Sequence, residues 1–178
     1  MRIWALLLAV AFAAVAFAAV AAPPPLPALV TAQLPALKPL GEARFKKLVW
    51  HVYDASLWIA AESFAPDAPL ALDIRYAMDI RGADLSARSV EEMRKLGYRD
   101  PEKLARWGDA MRRVFPDIRA GDRLVGVHLP GREARFYNQQ GLLGAVADAE
   151  FARAFFAIWL DERTSEPGLR RKLLALPE

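Results

Sequence analysis

Apolar and polar positions change their spacing several times along the chain, and each change marks an element. Positions 3–22 carry no polar side chain. Prolines 23, 24, 25, 27, 35 and 39 follow, and the stretch 22–40 reads as an extended, proline-stiffened linker. From Gly41 the pattern turns to strand. Positions 45–53 are rich in aromatic and β-branched types, and Leu57-Trp58-Ile59 continues them. Leu70, Leu72, Ile74, Tyr76 and Met78 alternate with Ala71, Asp73, Arg75 and Ala77, a period of two that predicts a half-buried strand. Helical spacing then takes over. Leu85, Val90, Met93 and Leu96 predict a helix over 84–96, with Asp84 as its N-cap and Gly97 as its stop. Asp100-Pro101 opens a second helix, whose apolar face is Leu104, Trp107, Met111, Val114 and Phe115 and which Pro116 ends.

Strand spacing returns at 123–129 and 134–138, on either side of the hairpin signal Pro130-Gly131-Arg132-Glu133. Gln139-Gln140-Gly141 turns the chain into a short segment at 142–146. Asp148 caps a helix carrying Phe151, Ala154, Phe155, Ile158 and Trp159, and a last short helix holds Leu169, Leu173 and Leu176. No internal repeat is present. Strands, helices, strands, helices is the order of an α+β fold with an antiparallel sheet.

Composition narrows the class. The chain has 178 residues and is 54% apolar, a share raised by the N-terminal run; the remainder is ordinary for one soluble domain with one core. The net charge is +3 and the arginines are scattered, so the basic face that nucleic-acid binding requires is missing. Cysteine is absent, which excludes disulfide scaffolds, thiol nucleophiles, zinc fingers and iron–sulfur clusters, and fits an oxidising compartment. Arg2, the apolar run and the small residues of Ala19-Val20-Ala21 predict a signal peptide over 1–21, hence a periplasmic or secreted protein. Twenty apolar residues also suffice to span a bilayer. An uncleaved membrane anchor is therefore the alternative, although alanine, which dominates the run, contributes little to insertion.

Little in the sequence points to catalysis. The two histidines, His51 and His128, stand alone in strand patterns with no metal-ligand spacing, and no metal site is expected. The five serines include no nucleophile elbow, and no glycine-rich phosphate loop implies a cofactor. Glu91-Glu92 and Asp161-Glu162 read as solvated charges, because adjacent helical residues do not face each other. Arg88 and Glu92 lie four apart, on one helix face. They form either a surface ion pair or a cleft-facing guanidinium able to hold a ligand carboxylate. Phe151, Phe155 and Trp159 read as core.

Several segments resemble bacterial chalcone isomerase-like proteins: Gly41-Glu42-Ala43-Arg44 leading into Val52-Tyr53-Asp54-Ala55-Ser56-Leu57-Trp58, then Ser89-Val90-Glu91-Glu92-Met93, Ala120-Gly121-Asp122, and most specifically 151–174. The resemblance spans about residues 40–176, giving a domain at 41–178. It implies a large antiparallel sheet with helices packed on one face, an open-faced sandwich, and a cleft between the layers. In that family, plant enzymes close a flavonoid ring in the cleft, while non-enzymatic members bind fatty acids or assist other enzymes. Counted onto this chain, the plant polar positions fall on Leu48, Ala36, Leu85, Glu92 and near Ala157. Ring closure needs hydrogen-bond donors aimed at developing charge, so leucine, alanine and glutamate at these positions predict no chalcone isomerisation. The family's basic helix position is matched by Arg88. The expectation is therefore an exported, non-catalytic binder of a hydrophobic or fatty-acid-like small molecule. Arg88, Glu92, Leu85 and Leu48 are its expected ligand-binding residues, and no catalytic residue is assigned. The alternatives are an isomerase or intramolecular lyase with Glu92 as base beside Arg88, and a protein–protein accessory module.

Overall fold

The computed structural model describes residues 23–177, so the expected signal peptide lies outside the described residues. Helix α1 (Ala28–Gln33) comes first. It is followed by β1 (Lys38–Lys47), β2 (Trp50–Ile59) and β3 (Leu70–Tyr76), then α2 (Gly82–Lys95) and α3 (Pro101–Val114). After β4 (Arg123–Leu129), β5 (Glu133–Tyr137) and β6 (Leu142–Val146), the chain ends in α4 (Ala149–Leu160) and α5 (Pro167–Leu173). The six strands pair in sequence order, each antiparallel to its neighbour. The fold is α+β, an open-faced sandwich, as expected.

The alternation of β-strands explains the layering. Ala55, Leu57 and Ile59 of β2 and Leu70, Leu72 and Ile74 of β3 are at most 4% exposed and form one core with Met93, Trp107, Met111, Phe151 and Phe155 of α2–α4. Phe136 of β5 meets Phe115 and Phe155 edge to face, with ring centroids 4.9 and 5.1 Å apart. The N-caps of α3 and α4 are the expected ones. Asp100 accepts from the backbone N–H of Glu102 and Lys103, and Asp148 from those of Glu150 and Phe151. Helix α2 starts at Gly82, earlier than predicted. Asp84 is not its N-cap but sits in its first turn, paired with Arg81. At its other end Gly97 adopts φ +106°, the left-handed stop that glycine makes easy.

Two expectations fail for reasons of tertiary structure. The stretch 22–40 is not simply a linker. Leu26, Val30 and Leu37, from the coil around α1 and α1 itself, bury against Trp58, Ala71, Val125, Val127 and Tyr137 on the second face of the sheet. Prolines stiffen this segment without preventing it from docking. Arg123 fastens it by donating to the Pro25 carbonyl at 2.9 Å while gripping Asp73 through two 2.6 Å bonds. The Tyr137 hydroxyl donates to Gln33 at 2.9 Å. With that face covered, β3 is buried on both sides down to Asp73, and Met78 falls beyond the strand, exposed.

The second failure is at 45–53, which is not one strand. The chain reverses at Leu48-Val49, where Leu48 takes φ +55°. Leu48 therefore lies on the hairpin tip with 90% of its surface exposed.

Candidate functional site

Phe45, Tyr53 and Tyr76 are register neighbours on β1, β2 and β3 and share the inner face at one end of the sheet. Phe45 stacks on Tyr53 at 5.0 Å, and Tyr53 meets Tyr76 edge-on at 6.0 Å. Over this aromatic floor α2 lays Leu85, Arg88, Ser89 and Glu92. Their spacing of three, four and seven puts them on one helical face. Ile158 and Trp159 of α4, Ser165 and Glu166 of the following loop, and Leu169 of α5 complete a cavity of about 110 Å³. Gly41 sets the position of α5: a side chain there would overlap the carbonyls of Lys172 and Leu173, so glycine lets the helix close on β1.

The polar part of the lining is a network around Glu92. Its side chain is 8% exposed, accepts from Lys95 Nζ at 3.0 Å and Ser165 Oγ at 2.6 Å, and forms an ion pair with Arg88, whose Nη2 lies 2.7 Å away. Desolvation pushes the carboxyl pKa up. The bonds from Ser165 and Lys95 and the charges of Arg88 and Lys95 more than offset this and hold it below its ordinary value. The expectation of two solvated glutamates thus holds only for Glu91, which is half exposed and pairs with Arg88 Nη1 at 3.0 Å. Arg88 is both things considered for it: it lines the cavity, half exposed, and it pairs with Glu92.

Deeper in, Trp159 Nε1 donates to the Tyr53 hydroxyl oxygen at 3.0 Å, which leaves the phenolic proton to offer elsewhere. Burial pushes the pKa of Tyr53 and of Tyr76 upward, so both phenols stay protonated. The cavity therefore presents apolar and aromatic walls, neutral O–H donors and an ion pair. It suits holding a small amphipathic molecule. A carboxylate already bonded on both oxygens and held ionised is poorly placed to act as a general base.

Of the sequence-predicted site residues, Leu85, Arg88 and Glu92 come together here. Leu48 does not; the hairpin turn carries it to the surface, and Phe45 is what β1 contributes instead. Ala36 is exposed in the turn before β1. Ala157 lines a separate cavity of about 170 Å³ with Phe64, Leu70, His128, Arg153 and Phe156. There burial, with help from the Arg153 charge, pushes the His128 pKa down and keeps the imidazole neutral. On the opposite face of the sheet, an open trough of about 550 Å³ has a charged lining in which Arg44 pairs with Asp54, and Asp73 is held by Arg123 from outside the trough. Among the described residues no three His, Cys, Asp or Glu side chains gather as a metal site.

Phe45, Tyr53, Tyr76, Trp159 and Ser165 were not singled out as ligand-binding residues from sequence. Tyr76 was legible as a member of the apolar row of β3, and Trp159 as part of the aromatic stripe of α4. Ser165 lies in a loop, where no periodicity points at it.

Comparison with known proteins follows the same geometry. A family model described as chalcone isomerase-like matches residues 25–175. A comparison with curated protein sequences gives no match. Among solved structures, the crystal structure of a fatty-acid binding protein of Arabidopsis thaliana superposes with a TM-score of 0.60 at 12% identity, covering 78% of this chain and 87% of that one.

Proposed function

Because the chain belongs to the chalcone isomerase-like family, we propose that it is an exported, non-catalytic member that binds a hydrophobic small molecule with an acidic head, of fatty-acid type. The observation that carries this reading is the cavity between the sheet and α2, α4 and α5. Its walls are apolar and aromatic, and its charged lining centres on Glu92, paired with Arg88 and hydrogen-bonded by Ser165. The solved neighbour of this fold that binds fatty acids supports the same reading. At about 110 Å³ the space is well below the roughly 300 Å³ of a full ligand pocket. It accommodates the head and first carbons of a chain. An acidic head competes with Glu91 and Glu92 for the Arg88 fork and takes further bonds from the protonated phenols. The isomerase alternative asks Glu92 to accept a proton, and the saturated network around it argues against that role.

The test is calorimetry with octanoic acid and methyl octanoate on the wild type and Arg88→Ala. The acid should bind about tenfold more weakly to the variant and the ester equally to both, the low end of the range for a hydrogen bond to a charged group. Equal loss for acid and ester, no loss for either, or no binding of either to the wild type would sink the reading.

A further inference from the structure

The tip of the β1–β2 hairpin is built against the interests of the isolated fold. Leu48, Val49 and Trp50 are 90%, 85% and 69% exposed, three consecutive large apolar residues in water. Leu48 also occupies the left-handed region at φ +55°, a position where hairpin turns favour glycine or asparagine and where a leucine is strained. Turn chemistry and solvation both ask for small polar residues here, and the chain supplies the opposite. Strained, exposed apolar positions of this kind concentrate at functional contacts.

The flanks say what the contact is. Lys46 and Lys47 directly precede the tip, both exposed, and His51 follows it. The nearest acid along the hairpin, Asp54, is already bonded to Arg44 and lies beside His51. The tip is therefore an apolar point beside two exposed lysines, neither of which has an ion-pair partner within 4 Å among the described residues. A two-residue turn offers far too little area for a stable protein interface, which needs about 1,000 Å² or more. A bilayer surrounds a protruding tip on all sides, takes leucine and valine into its acyl boundary, holds tryptophan at the headgroup level, and draws lysines to anionic lipid. We propose that the Leu48-Val49-Trp50 tip inserts into the interface of an anionic phospholipid bilayer, with Lys46 and Lys47 on the headgroups. Phe45 and Tyr53 on the same hairpin line the cavity, so insertion would bring that cavity to the membrane surface. The proposal does not rest on the ligand reading, because it is tested without ligand.

The experiment is sedimentation of the purified protein with vesicles of phosphatidylcholine containing phosphatidylglycerol, against phosphatidylcholine alone. Wild type is compared with Leu48→Ser/Val49→Ser, Lys46→Glu/Lys47→Glu and Trp50→Phe. The apolar N-terminal run is common to all variants and drops out of the comparison. Replacing two lysines by glutamates near an anionic surface should weaken binding by at least about thirtyfold, with the difference vanishing at high salt. Losing the two aliphatic side chains should weaken it at least about tenfold. The fluorescence assigned to Trp50, by difference with Trp50→Phe, should shift to the blue on binding and be quenched by brominated lipid. Wild type and Leu48→Ser/Val49→Ser sedimenting alike, or a Trp50 signal untouched by brominated lipid, would overturn the proposal. So would a wild-type dimer that the serine variant converts to monomer, since a second copy would then be what covers the tip.

Discussion

Asp148 shows how one side chain serves two elements. Its Oδ1 caps α4, while its Oδ2 accepts from Trp107 Nε1 at 2.9 Å, joining α4 to the almost fully buried tryptophan of α3. Burial pushes its pKa up, but the N–H groups of Phe151, Trp107 and Glu150 outweigh that and hold it below the ordinary value. A depressed folded-state pKa gives stability that is present above the unfolded value of about 4 and is lost as pH falls through the folded one. Asp148→Ala should therefore cost about 2–3 kcal/mol at neutral pH, a lost cap plus an orphaned buried donor. Asp148→Asn keeps the cap and should lose less, and its gap to the wild type should close as the pH is lowered towards 3. Urea unfolding of the three proteins at neutral and acidic pH measures both effects; a gap that stays constant with pH would contradict the charge argument. The cap was legible in the sequence as aspartate before a helical stripe. The bond to Trp107, 41 residues away, was not, because nothing local encodes it.

At the scale of elements, the segment around α1 depends on the second face of the sheet. Asp73 is 3% exposed, and Arg123 both neutralises it and holds the Pro25 carbonyl. Arg123→Ala leaves a buried charge unpaired and should destabilise the fold by about 3–5 kcal/mol. It should also speed proteolysis before β1, because the tie to Pro25 goes with it. Denaturant melts and limited digestion test the two parts, and an unchanged digestion rate would mean that Leu26, Val30 and Leu37 hold the segment unaided. A proline-rich stretch looks like a linker because composition reports stiffness. Whether three apolar side chains find a face to cover is decided by the strands that build that face. The β1–β2 hairpin makes the same point in the other direction. A continuous β-rich run marks extended chain, and no signal within 45–53 says that it folds back at a leucine.

For the whole molecule, the family match begins at residue 25, beyond the run with Arg2 and Ala19-Val20-Ala21 at its ends. Export with cleavage should leave a mature chain beginning at Ala22 or close by, as read by N-terminal sequencing of the exported protein. A chain beginning at Met1 in the membrane fraction would show the run retained as an anchor. Among the described residues no helix is long and apolar enough to cross a membrane.

The order of elements from β3 onward, the antiparallel α+β class, the caps at Asp100 and Asp148 and the apolar faces of α3 and α4 were all determined by the sequence alone. They rest on spacing and on interactions within a few residues. The placement of Arg88 and Glu92 on one face was legible for the same reason, since helical geometry dictates it. The tertiary structure decided the rest. It separated Glu91 from Glu92 by packing only one against the α4–α5 loop, brought Phe45, Tyr53 and Tyr76 together through strand register, and sent Leu48 to the surface. These outcomes depend on strand register and on packing between elements, which the local pattern of the chain does not specify.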